Sequence, residues 1–146
     1  MARLFTLQEA EELLPSVDRW LRSAIENRSK AASADEKLNA LLVRINLHGG
    51  IQFDVNAVAE MKSGREQAVE RLKQALAEIE SSGVVVKDLD IGLIDFPTML
   101  DGAEVYLCWK LGETHIGFWH NTTEGFAGRK AIDKEFLERH KGGRPH

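Results

Sequence analysis

The stretch Glu78-Ile79-Glu80-Ser81-Ser82-Gly83-Val84-Val85-Val86 is where the chain changes its period. Upstream, Val58, Met61, Ala68 with Val69, Leu72, Ala75 with Leu76, and Ile79 recur in steps of three and four, the spacing of one helix face. Ser81-Ser82-Gly83 stops that helix, and the β-branched run Val84-Val85-Val86 opens a strand. An all-helical half is thereby joined to a sheet half, and the expected fold class is α+β.

Working back toward the N-terminus, Asp54 is placed to cap this helix, and His48-Gly49-Gly50 ends an earlier one. The earlier helix carries the stripe Val17, Leu21, Ala24 with Ile25, Ala31 with Ala32, Leu38, Leu41 with Leu42, and Ile45. It is expected to begin at Pro15, where proline suits a first turn. Ahead of it, Thr6-Leu7-Gln8-Glu9 forms a capping box for a short leading helix over about 7–13, which Pro15 is expected to break. The two long helices, each roughly 30 residues or ~45 Å, then form an antiparallel hairpin over about 6–82. Pairing around Gly50 sets Arg65 opposite Asp35, an ion pair that fixes register more than stability.

Working forward, Gly92–Phe96 reads as a second strand ended by Pro97, and Asp101-Gly102 as a turn. Glu104–Leu111 alternates with period two, Gly112-Glu113 turns the chain, and Ile116–His120 returns. With a connection of two or four residues, Val105, Leu107, Trp109 and Leu111 share a face with Ile116, Phe118 and His120. Tyr106, Cys108, Lys110 and Trp119 take the other face. The expected architecture is a long antiparallel helical hairpin with a short leading helix, packed on a small antiparallel sheet over about 84–121. A Gly-rich turn and basic tail follow over 122–146, the whole forming one domain.

Composition narrows the function. The chain has 146 residues, 43% apolar and with a formal charge of -4, enough for a core and poor for gripping phosphates. No apolar run nears the ~20 residues of a membrane span, and no signal-peptide-like stretch opens the chain, so a soluble cytoplasmic protein is expected. One cysteine, Cys108, precludes an internal disulfide, and packing is its expected role. Charge is segregated: residues 1–83 carry -2, 84–125 carry -5, and 126–146 carry +3. The basic tail is placed to fold back on the acidic middle.

Three groups carry candidate chemistry. Asp88, Asp90, Asp95, Glu113, His120 and Glu124 form a carboxylate and histidine constellation. Such groups suit a divalent metal (Zn, Mn or Fe), for which Asp88, Asp90 and His120 are the candidate ligands. They also suit acid–base catalysis, with His120, Glu113 and Glu124 as candidates. The bland alternative is turn-forming aspartates and one satisfied histidine. Gly125-Phe126-Ala127-Gly128-Arg129-Lys130 offers Arg129 as an anion-binding candidate, or else a turn whose arginine pairs with a carboxylate such as Glu124. His48, His115, His140 and His146 read as turn or tail residues.

Several stretches resemble one family. They are Asp88-Leu89-Asp90-Ile91-Gly92-Leu93-Ile94-Asp95-Phe96-Pro97, Gly102 through Glu113, Phe118-Trp119-His120, and Gly125-Phe126-Ala127-Gly128-Arg129. The opening Phe5-Thr6-Leu7-Gln8-Glu9-Ala10 with Leu13-Leu14-Pro15 completes the set. Together they are similar to the bacterial domain of unknown function 2203. Ala103 departs from that pattern, where members often carry Arg. The resemblance implies a soluble bacterial protein acting as one unit, and it assigns no catalytic role.

Two functions follow as expectations. The first is a binding or assembly module that self-associates, as a homodimer, through its overlong hairpin. The second is a metal-dependent or acid–base enzyme with its site at the end of the sheet. Nucleic-acid binding through the mixed-charge tail is the least expected.

Overall fold

The computed structural model describes residues 3–47, 49 and 55–140, and the chain divides into two compact units. Residues 1–21 with 77–146 form a sheet unit, and residues 22–76 form a hairpin unit. The fold is α+β. The expected Asp54 cap, and His48, Gly50 and His146, lie outside the described residues.

In the sheet unit, five strands form an antiparallel meander in the order β1-β2-β3-β4-β5. They are β1 Val85–Asp88, β2 Leu93–Leu100, β3 Ala103–Lys110, β4 Phe118–Asn121 and β5 Lys130–Ala131. Helix α1, Leu7–Leu47, starts in this unit, α2, Val55–Ser81, ends in it, and α3, Lys134–His140, closes it. The capping box forms as its sequence requires: Thr6 N–H donates to Glu9 Oε1 at 2.8 Å, and Glu9 N–H to Thr6 Oγ1 at 3.0 Å. Gly83, at φ +94°, ends α2 in the left-handed conformation open to glycine. Asp101 and Gly102 both have positive φ, the combination of a two-residue type I′ hairpin turn between β2 and β3.

Two prolines do less than the sequence suggests. Pro15 does not break the helix, so there is no separate leading helix: α1 runs through it. The ring removes one donor, the partner of the Glu11 carbonyl, and it sits on the exposed side. Ala10, Leu14, Val17 and Leu21 are buried on the other side, and their packing outweighs the lost bond. Pro97 does not end β2, which continues to Leu100. The Pro97 carbonyl accepts from Phe5 N–H at 2.7 Å. A strand residue's N and O point to the same side, so the missing N–H faces Phe5 and costs the β3 ladder nothing.

The register between β3 and β4 also differs from the expected one. Tyr106 pairs with His120, Leu107 with Trp119 and Cys108 with Phe118. The connection over 111–117 has an odd number of residues, and an odd connection reverses parity. His120 therefore shares a face with Tyr106 and Cys108, not with Leu107 and Trp109. The opposite face carries Phe96, Leu107 and Trp119. Phe5 packs edge-on against Phe96 with ring centres 5.3 Å apart, and Phe136 of α3 lies 5.5 Å from Trp119. His140 is not a loose tail residue. It is buried, accepts from Leu7 N–H at 3.1 Å through Nε2, and its Nδ1–H donates to the Met99 carbonyl at 3.0 Å.

In the hairpin unit, α1 and α2 pair, and Arg65 donates through Nε to Asp35 as the sequence register requires. Burial is uneven along it. Asn27, Ala24, Ala31, Ala68 and Ala75 are buried, whereas every described residue from 32 to 67 is half-buried or exposed.

Candidate functional site

On the face that carries His120, three strands each contribute one ligand-type side chain. Asp95 comes from β2, Cys108 lies directly opposite it on β3, and His120 reaches in from β4. One ligand atom from each lies within 4.8 Å of the others. Asp95 and Cys108 are 0% exposed and His120 is 1% exposed. Among the described residues this is the group of three that stands together as a ligand set.

The histidine is fixed at both ends. Its Nδ1 lies 2.7 Å from the Asn121 carbonyl, which accepts only, so Nδ1 carries a proton. Its Nε2 lies 3.0 and 3.1 Å from the two Asp95 oxygens. The Tyr106 ring stands 5.4 Å from the imidazole, and Lys87 Nζ sits 4.9 Å above Tyr106. Burial pushes the Asp95 carboxyl above its ordinary value, although hydrogen bonding to His120 pulls the other way. Burial, with the Asp95 charge, pushes the Cys108 thiol up to about 12. The thiol is thus no nucleophile by itself.

Arg129 lies along the same face. Its guanidinium stacks on Phe118 at 4.1 Å and on Phe126 at 4.9 Å. Nη2 donates to Glu113 Oε1 at 2.6 Å and to the Cys108 carbonyl at 3.4 Å. Its charge is therefore met by Glu113, an arginine-to-carboxylate pairing with a different partner from Glu124. Glu113 also accepts from Lys110 N–H at 2.7 Å and closes the β3–β4 loop. Glu124 accepts from Lys130 Nζ at 2.6 Å and from the Asn121 amide, which holds its carboxyl below the ordinary range. Arg139 pairs with Asp101. The described part of the basic tail thus folds onto the acidic middle segment.

Of the sequence candidates, His120 is central. Asp88 and Asp90 are not brought to it. Asp88 Oδ1 accepts from Asp90 N–H at 2.9 Å, an Asx turn between β1 and β2, and both residues are exposed. Their expected place is taken by Asp95, a member of the same constellation, and by Cys108, which sequence reading assigned to packing. Loop parity was the available signal: an odd connection puts Cys108 and His120 on one face.

The hairpin unit holds a second feature. A groove of about 550 Å³ is lined by Leu38, Leu41, Leu42, Ile45 and Val58, with Arg65 among its polar residues. Within this lining Leu42 is 55% and Val55 69% exposed, and Leu47, at the end of α1, is 75% exposed. No described helix is long and apolar enough to cross a membrane.

No curated protein and no solved structure matches the chain. One family does, described as an uncharacterized conserved protein, and its match covers residues 3–132. That span holds both helices of the hairpin, the five strands and all three residues of the Asp95–Cys108–His120 group, and the chain belongs to the domain of unknown function 2203 family (DUF2203).

Proposed function

We propose that this protein is a binding module that self-associates through the outer part of its helical hairpin. One observation carries the reading. Over residues 32–67 the hairpin presents Leu38, Leu41, Leu42, Ile45, Val58 and Met61 on its stripe, yet none of them is fully buried. A helix pair with an uncovered apolar stripe gains by adding helices, and a second hairpin makes a four-helix arrangement. Beyond the internal Asp35–Arg65 pair, the groove carries both signs of charge in Glu66 and Lys62. A two-fold axis can therefore set acids against bases, as an isologous dimer requires.

The enzyme reading has the Asp95–His120 pair in its favour. Full burial weighs against it, since an acid–base pair must reach its substrate. Nucleic acid is a poor partner, because Arg129, Lys130 and Arg139 of the tail are spent on Glu113, Glu124 and Asp101. A bacterial cytoplasm is the setting we infer, from the family resemblance and a lone unpaired cysteine.

Light scattering coupled to size exclusion tests the reading. Wild type is expected to elute with the mass of two chains, and Leu42→Glu with that of one, at equal helical content. Identical masses for the two proteins would remove the hairpin as the contact.

A further inference from the structure

We propose that Asp95, Cys108 and His120 bind a single zinc ion that ties β2, β3 and β4 together. The inference is independent of the hairpin reading and concerns the other unit.

The donor set is the first argument. Thiolate, imidazole and carboxylate together suit zinc better than magnesium, calcium or manganese. Their arrangement is the second. Tetrahedral zinc, with bonds of about 2.0–2.1 Å to nitrogen and oxygen, holds those atoms about 3.3 Å apart. Here Nε2 and Asp95 Oδ1 stand 3.0 Å apart, a few tenths of an ångström short of that spacing. The third ligand, the Cys108 sulfur, lies within the same 4.8 Å group.

The histidine supplies a separate argument. A ligating imidazole characteristically donates its second N–H to a backbone carbonyl or carboxylate, which fixes tautomer and ring orientation. His120 does this with the Asn121 carbonyl at 2.7 Å, leaving Nε2 as the atom turned toward Asp95.

Charge is the last argument. Without metal, Cys108 is a thiol and the Asp95–His120 pair holds one proton between its facing atoms, so the group is neutral. With zinc, a thiolate, a carboxylate and a neutral imidazole surround a dication, and the group is again neutral. Two protons leave as one Zn²⁺ enters. Such neutrality suits a fully buried site, because a net charge there carries a desolvation cost. The nearby Arg129 guanidinium is already matched by Glu113 and leaves the balance intact. Three protein ligands leave the fourth position to a water molecule, a ligand count usual for catalytic zinc, but the site's burial keeps a substrate from that position, and the ion's part is to hold the three strands together.

The test uses the full chain, stripped with chelator, titrated with zinc chloride and separately with cobalt chloride. Expected are one zinc per chain, a raised melting temperature, and a thiolate-to-cobalt charge-transfer band in the cobalt form. Cys108→Ser is expected to lose that band and to weaken zinc binding by at least ~100-fold, more than outer partners usually cost. Wild-type protein that retains no zinc, or a cobalt form without the thiolate band, overturns the proposal. So does unchanged zinc stoichiometry in folded Cys108→Ser, which assigns the metal to other ligands. The cobalt spectrum needs no variant and decides even if Cys108→Ser does not fold.

Discussion

His120 has two ring nitrogens, and both meet oxygen. The Asn121 carbonyl takes the Nδ1 proton, so the Asp95–His120 contact must hold a proton of its own. Removing one member of such a buried pair leaves the other uncompensated. Asp95→Ala is expected to cost about 3–5 kcal/mol in urea unfolding of metal-free protein. Asp95→Asn retains a donor toward Nε2 and should cost about 1 kcal/mol. Equal losses for the two would show that the carboxylate itself, which neither variant keeps, is what matters there, and not a hydrogen bond that an amide can replace. Cys108 gives a second prediction. Buried, and with its thiol pushed up to about 12, it should resist a disulfide reagent at pH 8 and react within the dead time in denaturant. Rapid labelling of folded protein would contradict its placement. Residue chemistry was only half legible in the chain. Asp95 and His120 stand out as titratable groups in one acidic segment. Cys108 does not, because its partners are set by register as well as by face, and the register depends on the length of the β3–β4 connection.

Elements were read well where local chemistry decides and poorly where packing decides. Thr6 with Glu9, Gly83, and Asp101-Gly102 are each satisfied within a few residues, and each forms what its residue types specify. The Asp35–Arg65 pairing also follows, since two regular helices around one turn leave little freedom of register. With both side chains well exposed, that pair is worth about 0.2–1 kcal/mol. Pro15 and Pro97 mislead for a shared reason. A proline breaks an element only when its missing N–H or its ring cannot be accommodated, and tertiary neighbours settle that. Buried Leu14 and Val17 hold α1 together across Pro15, and Pro97 turns its nitrogen away from β3. The Pro15 lesion should still be measurable. Pro15→Ala restores a donor for the Glu11 carbonyl at an exposed position and is expected to add about 1–3 kcal/mol. Its thermal midpoint should rise by several degrees. An unchanged or lower midpoint would mean that α1 depends on the bend a proline introduces.

For the whole molecule, the α+β class was legible because the period changes once, at Gly83. What the chain does with its hairpin was legible only as a stripe longer than a small domain requires. The structure adds where that stripe is left uncovered: every described residue from 32 to 67 retains exposure, while Ala24, Ala31, Ala68 and Ala75 do not. Small residues fill the closed stretch, and Leu42, Leu47 and Val55 stand on the open one. The self-association proposed above would bury this apolar surface. Sedimentation equilibrium of the 146-residue chain over a micromolar concentration series, with and without zinc, measures that contact directly. The account predicts a monomer–dimer equilibrium in which the dimer dominates at the upper end, whether or not metal is bound. A single species of 16.3 kDa at every concentration would contradict it.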